Sequence, residues 1–224
     1  MEDEKFSDLA QNSIIFETKL GSDLVKEEEV ENKFLIKFND KFFTTLENYS
    51  NRNNKNDDNK IIYCTDEISQ SNALNLWLSN NREVIKADPL IDAQFIPWLE
   101  SQNEKYKFQR VDSEINDDLE KDSPEIVDKD GKSNTDNIKE IITKALNNEK
   151  VTVKVQSLKN KNAPPALILL PEQMRRINDM GAYMEQKIPG LPEYHVLLVN
   201  KDHPLINGLV KFTDKKIILN EKGS

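Results

Sequence analysis

Three aspartates follow three short, β-rich apolar segments of the chain. Asp66, Asp88 and Asp112 each come directly after such a segment. If the segments are parallel strands, their carboxyl ends meet at one edge of a sheet, which is where open α/β sheets bind ligands. Three carboxylates there could hold Mg²⁺ or accept a phosphoryl group. Two of the positions, Asp66 and Asp88, also suit aspartates that cap the following helices, at about 1 kcal/mol each.

The glycines favour the capping interpretation. All 6 of them lie outside the predicted strand-to-helix turns, where backbone amides would have to approach a phosphate closely. Neither a Walker A motif nor a dinucleotide-binding fingerprint is present. A magnesium-dependent enzyme or phosphoacceptor that uses the three aspartates is therefore the alternative hypothesis, and capping is favoured.

The other residue types suited to catalysis are sparse. His195 and His203 are the only histidines, and no further ligands lie near them at the spacing of a zinc site. Cys64 lies inside an apolar run and is predicted to be a buried, inert side chain. No G-x-S-x-G elbow is present. We therefore predict no catalytic residues, no metal site and no cofactor bound by this chain itself.

One side of the helix predicted over residues 171–187 is apolar. At 100° per residue, four of its apolar side chains fall within an arc of about 120°. These side chains are Met174, Ile177, Met180 and Met184. Such a stripe is typical of a helix packed into a core, but methionine is also over-represented on adaptable binding surfaces. Periodicity alone does not separate the two.

Phe95 and Trp98 form a second apolar cluster with the same two interpretations. Tryptophan usually belongs to a core, yet it is also enriched among the residues that dominate binding interfaces. Both residues lie in a predicted helix that contains Pro97, which should kink or shorten that helix.

The elements that would carry these residues fall into two groups. Strand, helix, strand, helix and strand over residues 61–111 predict a small parallel α/β/α sandwich with right-handed crossovers. After an acidic, polar stretch, a mixed order of helices and strands predicts an α+β domain. The predicted domains are 1–113 and 114–224.

Three features are expected within the first domain besides the sandwich. Alternating apolar residues at 34–38 predict a half-buried strand. Polar composition near 21–32 and 50–60 predicts disordered loops.

Composition and charge exclude several classes of protein. The 224 residues carry 31 Lys and Arg against 40 Asp and Glu, a net charge of -9, which is unlike a nucleic-acid binder. No apolar run approaches the roughly 20 residues that cross a bilayer. The N-terminus is acidic, unlike a signal peptide, and a single cysteine fits a reducing compartment. These features predict a cytoplasmic protein without a membrane or nucleic-acid partner.

Several short stretches, taken in order, resemble the bacterial members of the ninety-kilodalton heat-shock family of chaperones, the HtpG proteins. The stretches include FTTLENY at 43–49, KIIYCTDE at 60–67, FQRVD at 108–112, EQMRR at 172–176 and NKDHPL at 200–205. Shorter matches lie at 3–6, 91–95 and 165–166. The resemblance spans almost the whole chain.

The resemblance implies a chaperone fragment. Family members have an ATP-binding domain, a middle domain and a C-terminal dimerisation domain. This chain matches the end of the middle domain and the first part of the C-terminal domain. The ATP and Mg²⁺ site and the terminal dimerisation helices are therefore expected to lie outside it, and the homodimer to belong to the full-length protein.

The resemblance also implies a role for the apolar stripe. In these chaperones an amphipathic segment of the C-terminal domain touches unfolded or partly folded client proteins. Met174, Ile177, Met180 and Met184 match that position. With Phe95 and Trp98, they are the client-binding residues we predict.

Overall fold

The structure is a computed structural model that describes residues 13–21, 35–53, 60–103, 105–113, 119–121, 133–171, 174–177, 181 and 194–214. The chain divides into two units, the first comprising residues 1–115 and 170–191 and the second residues 116–169 and 192–224. The described helical residues 174–177 therefore group with the first unit. The assignment of 1–113 and 114–224 to two domains of a chaperone stays a prediction.

A six-stranded mixed sheet forms the centre of the first unit. Its strands are β1 (Phe16–Lys19), β2 (Ile36–Phe38), β3 (Lys41–Thr44), β4 (Lys60–Cys64), β5 (Val84–Lys86) and β6 (Lys107–Arg110). They are arranged in the order β2–β3–β1–β5–β4–β6. β4 pairs in parallel with β5 and β6, whereas β1 pairs antiparallel with both β3 and β5. The predicted α/β class is confirmed, and the parallel strands are extended by an antiparallel half.

Helices cover both faces of the parallel half. The helices are α1 (Leu46–Asn53), α2 (Ser71–Ser79) and α3 (Asp92–Gln102). The crossovers from β4 to β5 and from β5 to β6 run in opposite directions across the sheet. Right-handed connections therefore place α2 and α3 on opposite faces. This explains why Ile61 to Cys64, whose side chains alternate between the faces, are all buried.

One apolar cluster of this unit joins α1 and α3 to one face of the sheet. Its buried members are Phe16, Leu46, Tyr49, Ile61, Tyr63, Ile85, Ala87, Ile96, Leu99, Tyr106 and Phe108. In α2, Trp77 is fully buried and its Nε1 donates a hydrogen bond to the carbonyl of Val111 at 3.0 Å.

Two expectations for the first hundred residues are wrong. β2 is an exposed edge strand rather than a half-buried one, since Ile36 and Phe38 both face solvent. Residues 50–53 are helical and not part of a loop, because α1 continues to Asn53. The rest of the predicted loops, residues 22–32 and 54–59, lies outside the described residues.

Pro97 neither ends nor shortens α3, which runs to Gln102. A proline at this position lacks the N–H that would bond to the carbonyl four residues earlier. Pro97 lies on the exposed side of the helix, where water can satisfy that carbonyl. The buried side chains of Ile96 and Leu99 hold the helix on the sheet on either side of it.

A buried charged network fastens α1 to the start of β5. The Glu83 carboxylate is 1% exposed and accepts hydrogen bonds from Arg52 Nη2 at 2.7 Å and Nε at 3.0 Å. Thr18 Oγ1 and Asn53 Nδ2 donate to the same carboxylate at 3.0 and 3.1 Å. The Tyr49 hydroxyl donates to the Glu83 carbonyl. Both carboxylate oxygens are thus paired, as a buried charge requires.

The second unit is built on a three-stranded sheet. Its strands are β7 (Val151–Gln156), β8 (Ala166–Leu169) and β9 (His195–Asn200), and its helices are α4 (Asn134–Leu146) and α5 (Pro204–Asp214). β9 lies in the middle, parallel to β7 and antiparallel to β8. Both helices pack on one face around Ile138, Val153, Val199 and Ile206. The predicted α+β class is confirmed.

Local signals explain where α4 begins and ends. Ser133 Oγ accepts from the Asp136 backbone N–H and the Asp136 carboxylate accepts from the Ser133 N–H, a reciprocal capping box. Asn147 ends the helix in the left-handed conformation with φ 43. Among the described residues, no helix has the length and apolar character needed to span a membrane.

Candidate functional site

α3 and the residue before it expose apolar side chains beside the core-facing side of the helix. Ile91, Phe95 and Trp98 are spaced by four and three residues and therefore share one side of the helix. Ile91 is 67% exposed and Trp98 is 41% exposed. Phe95 is half-buried against the core and stacks on Trp98, with ring centroids 5.4 Å apart and 21° between the planes. Leu90, immediately before this face, is 70% exposed.

The structure thus adds two residues to the predicted cluster. Leu90 and Ile91 were not assigned to a binding surface from the sequence. The available signal was the helical spacing of Ile91, Phe95 and Trp98, combined with the placement of Leu90 directly after a proline turn.

The predicted methionine stripe is described only at its start. Met174 and Ile177 are helical and half-buried. Met180 and Met184 lie outside the described residues. The client-binding role of all four stays a prediction.

Two consecutive arginines attach this segment to the first unit. Arg175 is 3% exposed, and its guanidinium lies over the Tyr63 ring, 5.6 Å from the centroid. Arg176 forms a bidentate ion pair with Glu100 in the last turns of α3, with Nη1–Oε2 and Nη2–Oε1 distances of 2.7 and 3.0 Å.

Each of the three aspartates has hydrogen-bond or ion-pair partners in its own stretch of chain. Asp66 Oδ1 accepts from the Ile68 N–H, and hydrogen bonds from Ser69 and Ile68 lower the pKa of Asp66. Asp88 Oδ1 accepts from the N–H groups of the two residues before α3, at 2.8 and 3.1 Å. Asp112 forms a bidentate ion pair with Arg110.

The helix caps predicted at Asp66 and Asp88 are wrong, and the N-cap residue of α3 is Ile91. α2 begins at Ser71 with Gln70 as the N-cap, so Asp66 stabilises the turn before the helix rather than the helix itself. Gln70 is buried and its side chain accepts from the N–H groups of Thr65 and Asp66. The glutamine amide therefore closes this turn.

The part of the chain that the structure describes contains no cluster of potential metal ligands. No group of three or more His, Cys, Asp or Glu residues there could hold a metal ion. His195 begins β9, whereas His203 precedes α5 and its Nδ1 accepts from the Leu205 N–H at 3.2 Å. Asp66, Asp88 and Asp112 are therefore not part of such a group.

Cys64 is buried and burial raises the pKa of its thiol from 9.0 to about 11, with Glu67 contributing further. The folded state therefore keeps the thiol proton to higher pH than the unfolded state does. We expect this contribution to stability to be complete below about pH 9 and lost as pH rises to about 11.

Urea unfolding of the wild type and of Cys64→Ala between pH 8 and pH 11 checks this prediction. The stability difference between the two proteins should shift in favour of the variant as pH rises. A difference that is constant with pH would contradict it.

A second exposed apolar face lies on α5. Leu205, Leu209 and Phe212 repeat at spacings of four and three residues and are 69%, 42% and 67% exposed. Ile206, about 100° around the helix from Leu205, is buried in the core of the second unit. This face was not predicted from the sequence. The sequence does indicate it, because apolar residues in α5 extend beyond the side of the helix that the core buries.

Comparison with known proteins gives distant relatives. The chain is 27% identical over 167 residues to a chaperone protein HtpG of Bacteroides thetaiotaomicron, covering 70% of this chain and 24% of that protein. It is 28% identical over 188 residues to a chaperone protein HtpG of Bacteroides fragilis, covering 77% of this chain and 27% of the relative. No family model matches the chain. The chain thus spans about a quarter of the length of these relatives, and it is distantly similar to that part of HtpG chaperones.

Proposed function

We propose that this chain acts as part of a molecular chaperone and binds unfolded or partly folded protein. The observation that carries the proposal is the exposed apolar face of α3, on which Ile91 and Trp98 remain open to solvent in a chain distantly similar to HtpG chaperones. Contiguous exposed apolar patches are often interaction sites. Non-native proteins expose the apolar segments that such a surface accepts.

The mechanism requires weak binding with little sequence preference. The stacked Phe95 and Trp98 rings present a flat apolar area that many side chains can contact. Met174, Ile177, Met180 and Met184 add flexible thioether and aliphatic groups that adapt to different clients.

The remaining parts of the proposal come from the similarity to HtpG. The protein acts in the cytoplasm, and its partners are client proteins and, in the full-length family, a second subunit. Neither nucleic acid nor a membrane is a partner. The chain is not an enzyme by itself and binds no cofactor; ATP and Mg²⁺ act in other parts of the family protein.

A titration tests the proposal. The isotope-labelled chain is mixed with reduced, carboxymethylated α-lactalbumin, a soluble and permanently unfolded protein, and followed residue by residue by NMR. Shifts centred on Phe95 and Trp98, with shifts of the Met174 and Met184 methyl groups, are expected. Absence of shifts at high client concentration would overturn the proposal.

Trp98→Glu should weaken client binding about tenfold or more, because a charge on the apolar face would have to be desolvated on binding without a partner. The matched control is Ile168→Glu, which changes a 67% exposed apolar residue on β8 in the second unit. The dissociation constants are obtained from the same titration. Equal weakening by both variants would mean that the α3 face has no special role.

A further inference from the structure

Glu100 connects three elements of the first unit. Its Oε1 accepts from the Phe108 N–H on β6 at 2.8 Å, and both of its oxygens bind Arg176. Arg176 Nη2 also reaches the Phe108 carbonyl at 3.4 Å. The Glu100 and Arg176 side chains are 20% and 35% exposed, so the pair is partly shielded from water.

Arg175 holds the same segment from another side. Its guanidinium lies over Tyr63 on β4, and the Tyr63 ring contacts Phe108 edge-on, with centroids 6.2 Å apart at 72°. Consecutive helical residues point about 100° apart. Arg175 and Arg176 therefore fix both the position and the rotation of the helix on which they lie.

We propose that Glu100 and Arg176 are positioning residues, which set the orientation of Met174 and Ile177 for client binding. This inference rests on the proposed function. A bidentate guanidinium–carboxylate pair fixes direction as well as distance, which a lysine could not do. Positioning in advance lowers the entropy that client binding must remove, so affinity depends on a pair that need not touch the client.

Residues two apart on a helix point to different sides. Glu100 therefore does not share a side with Trp98, and Arg176 does not share a side with Met174. Glu100 lies two residues after Trp98, and Arg176 lies two residues after Met174. The ion pair is thus placed where it can act without covering either predicted client-binding group.

The test uses the full chain with labelled methionine and isoleucine methyl groups. Arg176→Gln and Glu100→Gln remove the ion pair, and the glutamine at 100 keeps an acceptor for the Phe108 N–H. Without client, we expect the Met174 and Ile177 methyl signals to sharpen and move towards their unfolded-chain positions in both variants. Unchanged methyl signals would overturn the inference.

Client titration supplies the functional readout. Client affinity measured at Met174 should fall several-fold in both variants, while the shifts at Phe95 and Trp98 persist because α3 stays on the sheet. Arg176→Lys should recover less than half of the client affinity that Arg176→Gln loses. If the methyl signals change but the client affinity measured at Met174 does not, the ion pair only stabilises the segment, and the positioning role is overturned.

The matched control is Glu140→Gln, which removes the exposed ion pair with Lys144 on α4. It should leave both readouts unchanged. A wild type that binds no client would refute the proposed function, whereas the methyl readout without client would still report whether the pair holds the segment.

Discussion

Replacing Glu83 by alanine is expected to lower the free energy of unfolding of the first unit by about 3–5 kcal/mol. The change leaves the Arg52 guanidinium, 13% exposed, without the carboxylate that compensates its charge. Thr18 Oγ1 and Asn53 Nδ2 lose an acceptor at the same time. Urea denaturation followed by circular dichroism measures the loss.

Two further variants make the result specific. Glu140→Ala removes an exposed ion pair between residues four apart on α4 and should cost only about 0.3–0.5 kcal/mol. Glu83→Gln keeps one acceptor oxygen and should fall between the two. Similar losses for Glu83→Ala and Glu140→Ala would show that the buried network contributes no more than a surface pair.

Gly21→Ala should destabilise the first unit by about 1–3 kcal/mol, the usual cost of overpacking. A Cβ at Gly21 would lie 2.4 Å from the Leu78 carbonyl oxygen and 2.8 Å from the Asn81 Cα. Both are backbone atoms at the end of α2, so no side-chain rotation can make room. Thermal or urea unfolding measures the effect.

Gly208→Ala is the control with the opposite expected sign. The added Cβ would meet no atom within 4 Å, and alanine is favoured over glycine inside a helix by about 0.8–1.0 kcal/mol. A stabilised Gly208→Ala beside a destabilised Gly21→Ala would separate the local clash from the general effect of removing glycine. Two neutral substitutions would contradict the close approach at Gly21.

The parallel half of the first sheet could be predicted because its signals are local. Each of its strands is a short apolar run followed by a helix-forming segment, and that alternation leaves few topologies open. β1 could not be placed in the same way. It is four residues long, and its partners β3 and β5 are distant in sequence, so nothing in its own pattern specifies them.

The end of α1 shows a second limit. Residues 50–53 contain no apolar side chain, and their composition indicates a loop. They are nevertheless helical, and Arg52 is held there by Glu83, which lies 31 positions further along the chain. Tertiary ion pairing of this kind overrides local preference and leaves no periodic signal.

The sequence indicates which apolar residues could form the candidate site, but not which of them are exposed to solvent. Trp77 and Trp98 both lie in apolar surroundings in the sequence, yet the first is 0% and the second 41% exposed. Which side of a helix meets the sheet depends on the crossover geometry. A pattern with apolar residues on both sides does not specify it.

The path of the chain between the two units has a consequence for its synthesis. Arg175 and its partner Tyr63 belong to the first unit, but α4, β7 and β8 of the second unit lie between them in sequence. The ribosome therefore releases most of the second unit before the first can be completed, and β9 follows only afterwards. Proteolysis at one peptide bond cannot release either unit whole, because each unit contains two separate stretches of chain.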